Sequence, residues 1–549
     1  FDPVPAVSQL PIPNDLIYAS AAADKGLPAD GSYSVSNPDE NPVIAALNGL
    51  SGSSTVAPID IQLSGKLEAT DPAVLAGNVF LIETKYASGE PLRGLSASEP
   101  ATVSRMSVPG LPGGILSVDI EIKELTTEDG TITDFIRISP KEPLKPNTRY
   151  IVVVKKGLNA ADGNPIVSSP RYTVLKDNEF PDPNYPEINS DNTTVGPGLE
   201  PVVNLINKLW EPIAEKTVAP NRADIALAYS FTTSNDEKVL TYMANPAKWF
   251  QDQVRALITS TTAKKIRGAQ LYFLNQNNVP GAPNLPGTTW DIDKNGVVNA
   301  ADFSPFYDNP PSSFLLASGS VADFGYADVD LAVQGALTGF VPSAQFPQLV
   351  PAGVGQCDAA PTTDLKLACT GNVLYGTASN VYGAEFPAPS VQTVDFSISQ
   401  PTSAQQVSAV LSSVLKPAPQ VQVDVHQASI TLPYYLGTPV GGDTAKVRGS
   451  FWTADTALAS ILADKLGFKV AQSDSDVSTV VNSIFPFPEK TTDQTVPLLV
   501  MTPNGVTEAD LADGANDYKV AIFQHGITTD RSAALGFGSA LINNSDGNL

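Results

Sequence analysis

The clearest chemical pattern in the sequence lies in the twelve residues from Asp291 to Asp302. Oxygen-bearing side chains stand at the first, third, fifth, ninth and twelfth positions, and glycine stands at the sixth. A hard cation such as Ca²⁺ takes about six to eight oxygen ligands, and the glycine permits a sharp turn. The pattern predicts a Ca²⁺ site formed by Asp291, Asp293, Asn295, the carbonyl of Val297, Asn299 and Asp302.

The spacing Asp-x-Asp-x-Asn-Gly-x-x-Asn-x-x-Asp resembles the Ca²⁺ loops of dockerin modules. The sequence has one copy of the loop instead of the usual pair, and Asp302 stands where an EF-hand has a bidentate Glu. The resemblance implies calcium but not cohesin binding. We expect a structural ion, with Val297 and Val298 anchoring the loop to a core. The alternative is an Asp/Asn-rich turn that binds no ion.

The chain has two cysteines, Cys357 and Cys369, in a segment rich in Gly, Pro, Thr and Asp. One local pair in a long chain is typical of an exported protein with a single disulfide. A bridge that closes so short a loop contributes about 3 kcal/mol in the loop-entropy model. The sequence predicts this disulfide, and the alternative is two free thiols. No neighbouring motif indicates a catalytic cysteine.

A second chemical pattern is His525-Gly526, which follows the apolar run from Lys519 to Gln524 and precedes a helical stretch from Ser532 to Leu541. A buried strand, a glycine turn and a helix in this order are typical of a parallel α/β sheet. The pattern resembles the oxyanion-hole turn of α/β-hydrolase lipases, in which a backbone N–H stabilises developing negative charge. The resemblance implies an oxyanion hole at Gly526 and Ile527, with His525 in the turn. The alternative is a buried structural histidine.

No G-x-S-x-G nucleophile motif occurs in the sequence. In the nearest match, Gly536-Phe537-Gly538-Ser539-Ala540, the serine comes one place late and no glycine closes the motif. The two histidines, His426 and His525, have no partner serine in a motif. We therefore expect no member of a catalytic triad in this chain, and no esterase activity from the chain alone.

The elements that position these residues begin with strands. Residues from Ile59 to Leu63 and from Leu116 to Ile122 alternate apolar and polar side chains, which predicts half-buried antiparallel strands. The residues Leu144, Pro146, Thr148 and Tyr150, followed by Asp162-Gly163-Asn164, resemble the last hairpin of bacterial Ig-like sandwiches. Further expected elements are helices at 41–50, 202–213, 235–258 and 457–466 and strands at 225–231, 430–435 and 496–501.

The length of 549 residues favours about two to four domains. We expect a mixed multi-domain fold, in which a β-rich Ig-like sandwich precedes an incomplete α/β-hydrolase domain. The expected parts are an N-terminal segment (1–55), the sandwich (56–175), a linker and helical segment (176–258), a loop-rich insertion with the calcium loop and the disulfide (259–420), and the N-terminal part of the hydrolase domain (421–549).

Several short segments together resemble the bacterial virulence-factor lipases, which are exported esterases of Gram-negative bacteria. They are residues 1–3, 10–16, 41–48, 228–233, 432–437 and 524–526, and the resemblance is weakest over 260–390. It implies the N-terminal portion of an exported carboxylic ester hydrolase, of lysophospholipase or triacylglycerol lipase type. Its partners would be a lipid or ester substrate and the missing C-terminal part of the catalytic domain. The alternative is a non-catalytic, calcium-stiffened surface or adhesion module.

Charge and hydropathy limit the expected partners further. Asp and Glu outnumber Lys and Arg by 57 to 33, which gives a net charge of −24. Such a surface repels nucleic acid and gains nothing from anionic lipid headgroups. We expect no transmembrane helix, because no run of about eighteen apolar residues occurs. The start at Phe1 lacks Met and a signal-peptide pattern, which predicts a trimmed chain that is secreted or attached to the outer surface.

Overall fold

The computed structural model contains two compact units. Unit 1 comprises residues Phe1–Ala388 and Ala454–Phe487, and unit 2 comprises Pro389–Thr453 and Pro488–Leu549. The structure describes the chain except for residues 4–8, 19–21, 36–46, 69–70, 86–101, 104–113, 128–129, 178–198, 279–284, 286, 310–325, 383–393, 396–408, 410–422, 440, 443, 508, 511–512, 514–517, 527 and 545–549.

The described strands pair in an antiparallel manner throughout. In chain order they are β1 (Ile59–Gln62), β2 (Val79–Lys85), β3 (Thr102–Val103), β4 (Val118–Thr126), β5 (Ile132–Pro140), β6 (Arg149–Lys155), β7 (Ile225–Thr232), β8 (Val423–Tyr434) and β9 (Thr492–Pro503). Unit 1 holds a three-stranded sheet in the order β1-β5-β4 and a four-stranded sheet in the order β3-β2-β6-β7, and unit 2 holds the pair β8-β9.

Along the chain, the α-helices lie between and after these strands, and they form most of the second half of unit 1. They are α1 (Pro72–Asn78), α2 (Pro170–Asp177), α3 (Glu200–Leu205), α4 (Glu211–Thr217), α5 (Glu237–Ala244), α6 (Pro246–Gln276), α7 (Gly287–Trp290), α8 (Tyr326–Thr338), α9 (Pro342–Gln345), α10 (Thr363–Tyr382), α11 (Ala445–Gly449), α12 (Thr456–Leu466) and α13 (Ala534–Asn544). A π-helical turn, Ile206–Trp210, joins α3 to α4. Short 3-10 helices cover Asp15–Ile17, Ala23–Lys25, Arg222–Asp224, Ala300–Phe303, Pro347–Ala352, Val354–Ala359, Ala471–Ser473 and Arg531–Ala533.

Both sheets of unit 1 contribute side chains to one hydrophobic core. Ile61 and Ile136 pair across β1 and β5, and both are buried in this core with residues 150–154 of β6. Alternate residues of β4 such as Ile120 and Ile122 pack on the same core, as the period-two pattern predicts. Two antiparallel sheets around a shared core are the architecture of a sandwich. The Ig-like topology itself stays a prediction.

The predicted boundary at residue 175 falls inside this architecture. The strand expected at 225–231 is present as β7, and it pairs with β6 along its whole length, with Val152 opposite Tyr229. Helices α3 and α4 pack on the same core through buried residues such as Val202 and Ile213. The segment expected as a linker and helical region therefore completes the four-stranded sheet.

The expectation of a loop-rich region from 259 to 420 is wrong for much of its described part. The helix expected at 235–258 is two helices, because Pro246 begins a new helix and the Asn245 side chain accepts a hydrogen bond from the Lys248 backbone N–H. The second of these, α6, continues to Gln276 and packs lengthwise against α10. Residues 41–46 of the helix expected at 41–50 lie outside the described part of the chain.

The segment expected to open an α/β-hydrolase domain differs from that expectation in three ways. Residues 454–487 belong to unit 1, where α12 and the aromatic residues Phe485 and Phe487 join the core around Trp249. The strands described in unit 2 are an antiparallel pair rather than a parallel sheet. The run from Lys519 to Gln524 forms no strand and is exposed, with Val520 at 85% and Ile522 at 95% exposure. A strand needs a hydrogen-bonded neighbour, and no neighbour is described for this run.

A buried ion pair fixes the N-terminal segment on the four-stranded sheet. The Arg149 Nε lies 2.8 Å from a carboxylate oxygen of Asp15, and both side chains are fully buried. The same Asp15 oxygen accepts a hydrogen bond of 2.6 Å from the Ser230 hydroxyl, which in turn accepts one from the Trp210 indole N–H. Removing one partner of such a pair leaves an uncompensated buried charge.

We expect Asp15→Ala to lower the free energy of unfolding of unit 1 by about 3–5 kcal/mol, because Arg149 then keeps its charge in an apolar site. Urea unfolding followed by tryptophan fluorescence reports this change, since Trp210 lies in the same network. The matched control is Asp119→Ala, which removes an exposed partner of Lys141 and should leave unfolding unchanged. Equal stability of Asp15→Ala and the wild type would contradict the expected dependence on this pair.

Candidate functional site

The predicted calcium loop is held by a small hydrophobic cluster beside α6. Phe303, in the 3-10 helix that ends the loop, is fully buried, and a side chain at Gly268 of α6 would overlap its ring. Ile292 and Val298 of the loop pack on the same cluster. The expectation that Val297 also anchors the loop is wrong, since this side chain is 60% exposed. Adjacent side chains of an extended segment point to opposite sides, so only one of the two valines faces the core.

Asp302 organises the backbone of the loop. One of its carboxylate oxygens accepts hydrogen bonds from the backbone N–H groups of Ile292 (2.9 Å) and Asp293 (3.2 Å), and the other accepts one from Asn299 (2.8 Å). The Asn299 side-chain oxygen in turn accepts a hydrogen bond from the backbone N–H of Ala301. Asn299 and Asp302 therefore form a capping box. This reciprocal arrangement closes the twelve-residue loop at its C-terminal end.

The first half of the loop curls around Asp291. Its carboxylate accepts hydrogen bonds from the backbone N–H groups of Asn295 (3.1 Å) and Gly296 (2.8 Å). Gly296 has a φ of 87°, and Lys294 has a φ of 59°, so the chain turns through two left-handed residues. The glycine at the sixth position is therefore required by backbone geometry.

The turn brings three carboxylates together. Asp291, Asp293 and Asp302 each place one carboxylate oxygen so that these atoms lie within 4.8 Å of one another. Asp302 is buried, Asp291 is half-buried and Asp293 is exposed. The donor set consists of hard oxygen atoms, which is what Ca²⁺ prefers, so the residues fit the predicted ion.

Hydrogen bonding decides the charge state of the buried carboxyl. Burial by itself disfavours the ionised form of Asp302, but the backbone N–H donors of Asn299, Asp293 and Ile292 outweigh it. The pKa of Asp302 therefore lies below its ordinary value. This carboxyl is ionised at neutral pH and is available as an anionic ligand.

The two cysteines form a disulfide that joins a 3-10 helix to α10. Cys357 is fully buried in the 3-10 helix Val354–Ala359, Cys369 lies in α10, and their Cα atoms are 5.5 Å apart. Close packing continues along α10, since a side chain at Gly371 would overlap the backbone of Ala247 in α6. The disulfide therefore braces the helices that surround Trp249.

The predicted oxyanion turn lies on an exposed segment of unit 2. His525 is exposed, and its Nδ1 is 3.0 Å from the Gly526 carbonyl oxygen, which also accepts a hydrogen bond from the Thr529 hydroxyl (2.9 Å). The exposure of His525 does not fit the alternative of a buried structural histidine. Gly526 has open space where a side chain would begin. Ile527, the predicted backbone donor, lies outside the described residues.

The structure does not bring the remaining histidine and the near-miss serine into a reactive arrangement. Ser539 is buried in α13, and its hydroxyl donates to the Leu535 carbonyl, an ordinary bond within a helix. His426 on β8 contacts the Thr502 hydroxyl on β9 at 3.2 Å. The first contact is internal to α13, and the second joins β8 to β9.

Two features that support the calcium loop were not predicted from the sequence: the part played by Gly268, and the structural role of Asp302, which was predicted only as a ligand. Gly268 makes room for the Phe303 ring, and the Asp302 carboxylate accepts hydrogen bonds from three backbone amides, whether or not an ion is bound. The capping-box spacing from Asn299 to Asp302 is a local signal for the second role. No local signal marks Gly268, because the contact spans two separate elements.

Comparison with known proteins gives no assignment: no protein-family model, curated protein or solved structure matches the chain. Within the described part of the chain, no helix combines the length and the apolar character needed to cross a membrane.

We expect Asp302→Ala to release the loop backbone even when calcium is chelated. The amides of Ile292, Asp293 and Asn299 should exchange with solvent deuterium at least roughly tenfold faster, because each bond to a charged acceptor contributes about 1.5–3 kcal/mol. Hydrogen-exchange mass spectrometry in a chelator measures this change. Asp308→Ala, which removes an acceptor for the Ser304 hydroxyl, is the control and should leave these amides protected. Unchanged exchange in Asp302→Ala would refute the role assigned to this carboxylate.

Proposed function

We propose that residues 291–302 bind one Ca²⁺ ion that stiffens unit 1. The observation that carries this proposal is the convergence of the carboxylates of Asp291, Asp293 and Asp302 within 4.8 Å, on a twelve-residue pattern typical of calcium loops. Asn295, Asn299 and the carbonyl of Val297 supply the remaining oxygen ligands. When bound, Ca²⁺ would supply positive charge to this oxygen set.

Electrostatics supports a cation at this position. Three carboxylates held this close repel one another when all are ionised, and a divalent cation reverses that interaction. Asp302 holds the loop in shape through its backbone hydrogen bonds, and exposed Asp293 leaves the site open to solvent. The ion would therefore bind a turn that is already formed and would lock it against α6.

We expect the wild-type chain to bind calcium at one site and to melt at a higher temperature when calcium is added. The double variant Asp291→Ala, Asp293→Ala should bind at least roughly a hundredfold more weakly, because it loses two anionic ligands. Isothermal titration calorimetry measures both affinities. The double variant Asp119→Ala, Glu121→Ala removes the same charge from an exposed sheet face and should bind as the wild type does. Equal calcium binding by the loop variant would exclude this site.

We also propose that the chain is the N-terminal part of an exported lipase or related carboxylic ester hydrolase, secreted or attached to the outer surface. The resemblance to the bacterial virulence-factor lipases supports this proposal, and so does the unobstructed Gly526 turn. In such an enzyme a serine attacks the ester carbonyl, a histidine accepts the serine proton, and backbone N–H groups bind the oxyanion. This chain would supply the oxyanion turn and part of the substrate channel.

We expect the chain alone to lack what this reaction requires. A serine hydroxyl is a weak nucleophile without an adjacent base, and the base needs an orienting partner. In the described part of the chain, the Ser539 hydroxyl is bonded to a helix carbonyl, and the His525 ring lies against the backbone of its own turn. An oxyanion turn without a nucleophile polarises a carbonyl but does not cleave the ester.

We expect the purified chain not to hydrolyse p-nitrophenyl butyrate above background. The same protein, extended by any residues that follow Leu549 in its gene, should hydrolyse this ester and be inhibited by a serine reagent. Gly526→Val in the extended protein should abolish turnover without changing the melting temperature, because the glycine has free space but must let the substrate carbonyl approach. A spectrophotometric assay of released p-nitrophenolate measures the rate of acyl transfer.

Two outcomes would count against the hydrolase proposal. Serine-reagent-sensitive turnover by the chain alone would show that it contains a nucleophile after all. A gene that ends at Leu549, together with an inactive chain, would favour the alternative of a calcium-stiffened surface or adhesion module. Calcium binding is measured separately and does not depend on either result.

A further inference from the structure

A cavity of about 650 Å³ opens in unit 1, away from the calcium loop. Its floor is the outer face of the three-stranded sheet, where Gln62, Phe135 and Arg137 point away from the shared core. The N-terminal segment from Leu10 to Pro13 forms one wall, and Leu50 with residues 52–54 forms another. The volume falls within the range of small-molecule sites, about 300–1,000 Å³.

The lining is mainly apolar. Leu10, Ile12, Leu125 and Phe135 contribute large side chains, and Ile12 is 59% exposed, although it lies next to a folded sheet. Apolar surface in a concave site favours an apolar ligand, because burying it removes that surface from water. The cavity therefore suits the hydrocarbon part of a ligand.

One ion pair supplies the charged groups of the lining. Asp60 and Arg137 stand opposite each other on β1 and β5, and the guanidinium donates from Nε and Nη2 to the two carboxylate oxygens at 2.8 and 2.7 Å. The Phe135 ring centroid lies 5.2 Å from the guanidinium carbon, and this cation–π contact restrains the guanidinium. Two of five N–H donors are engaged in this pair, so further donors remain for a ligand.

We propose that this cavity binds an uncharged amphiphile, such as a monoacylglycerol, with its polar head on the Asp60–Arg137 pair and its chain along the apolar lining. The pair carries no net charge. An anionic head would meet the Asp60 carboxylate, and a cationic head would meet the Arg137 guanidinium. A neutral head with hydroxyl and carbonyl groups can accept from the guanidinium and donate to the carboxylate. The proposal rests on neither of the functions proposed above.

The test compares two probes that share a chain and differ in head charge: 1-monodecanoylglycerol and decanoate, both below their micelle concentrations. Calorimetric titration of the wild-type chain should show binding of the glycerol ester at least tenfold tighter than binding of decanoate. Asp60→Asn removes the ion-pair partner of Arg137, while the Glu121 carboxylate opposite Arg137 on β4 stays paired with Lys123, so this variant should reverse the preference in favour of decanoate. The reversal is specific to a head placed on this pair, and loss of fold would abolish binding of both probes instead.

A second variant tests the position of the chain. Gln62 is exposed on the cavity floor, so Gln62→Trp should fill the cavity and weaken binding of the ester at least tenfold. Asp119→Trp places the same bulk on the same sheet face outside the cavity lining and should change binding less than twofold. Equal affinities for the two probes, no reversal in Asp60→Asn while the ester still binds, or full binding by Gln62→Trp would each overturn the proposal.

Discussion

The charge of Arg149 is the constraint on which the sheet core of unit 1 depends. A guanidinium with no exposed surface must have a carboxylate partner, and Asp15 is that partner. Asp15 lies in the N-terminal segment, so this segment cannot leave the four-stranded sheet without leaving the buried Arg149 charge unpaired. The preceding residues from Leu10 to Pro13 lie beside the other sheet, where Ile12 forms a β-bridge with Asp60, and they form a wall of the cavity. The buried pair thus fixes the segment whose preceding residues line the cavity.

Local patterns predicted the strands better than their pairing. Alternation from Ile59 to Leu63 marks β1 correctly, because a half-buried strand shows period two in its own sequence. The pairing of β6 with β7 across an intervening helical segment leaves no local signal in the sequence. The predicted domain boundary at residue 175 therefore separates two strands that pair in one sheet. The run from Lys519 to Gln524 shows the reverse case. It has strand composition, but composition alone provides no partner for its backbone groups.

The candidate metal loop was predictable because its ligands lie within twelve residues, and their spacing is dictated by the turn itself. The helix α10, which packs on α6 further along, was not predicted. α10 contains Gly371, which lowers helix propensity, yet the helix needs a glycine there to approach Ala247 of α6. The cavity pair Asp60 and Arg137 is separated by 77 positions in the chain, so only the register of β1 against β5 brings it together.

The two ion pairs of unit 1 have similar chemistry and different consequences because of their exposure. Arg149 and Asp15 are sealed from water, where an unpaired charge is costly, so their interaction serves to keep one segment in place. Arg137 and Asp60 are partly exposed, at 34% and 40%, so water screens the attraction and the pair adds little to stability. A pair that stability does not require, held by a strand register and an aromatic ring, keeps its unused donors available for recognition. Exposure therefore separates the ion pair that maintains the fold from the one that can select a ligand.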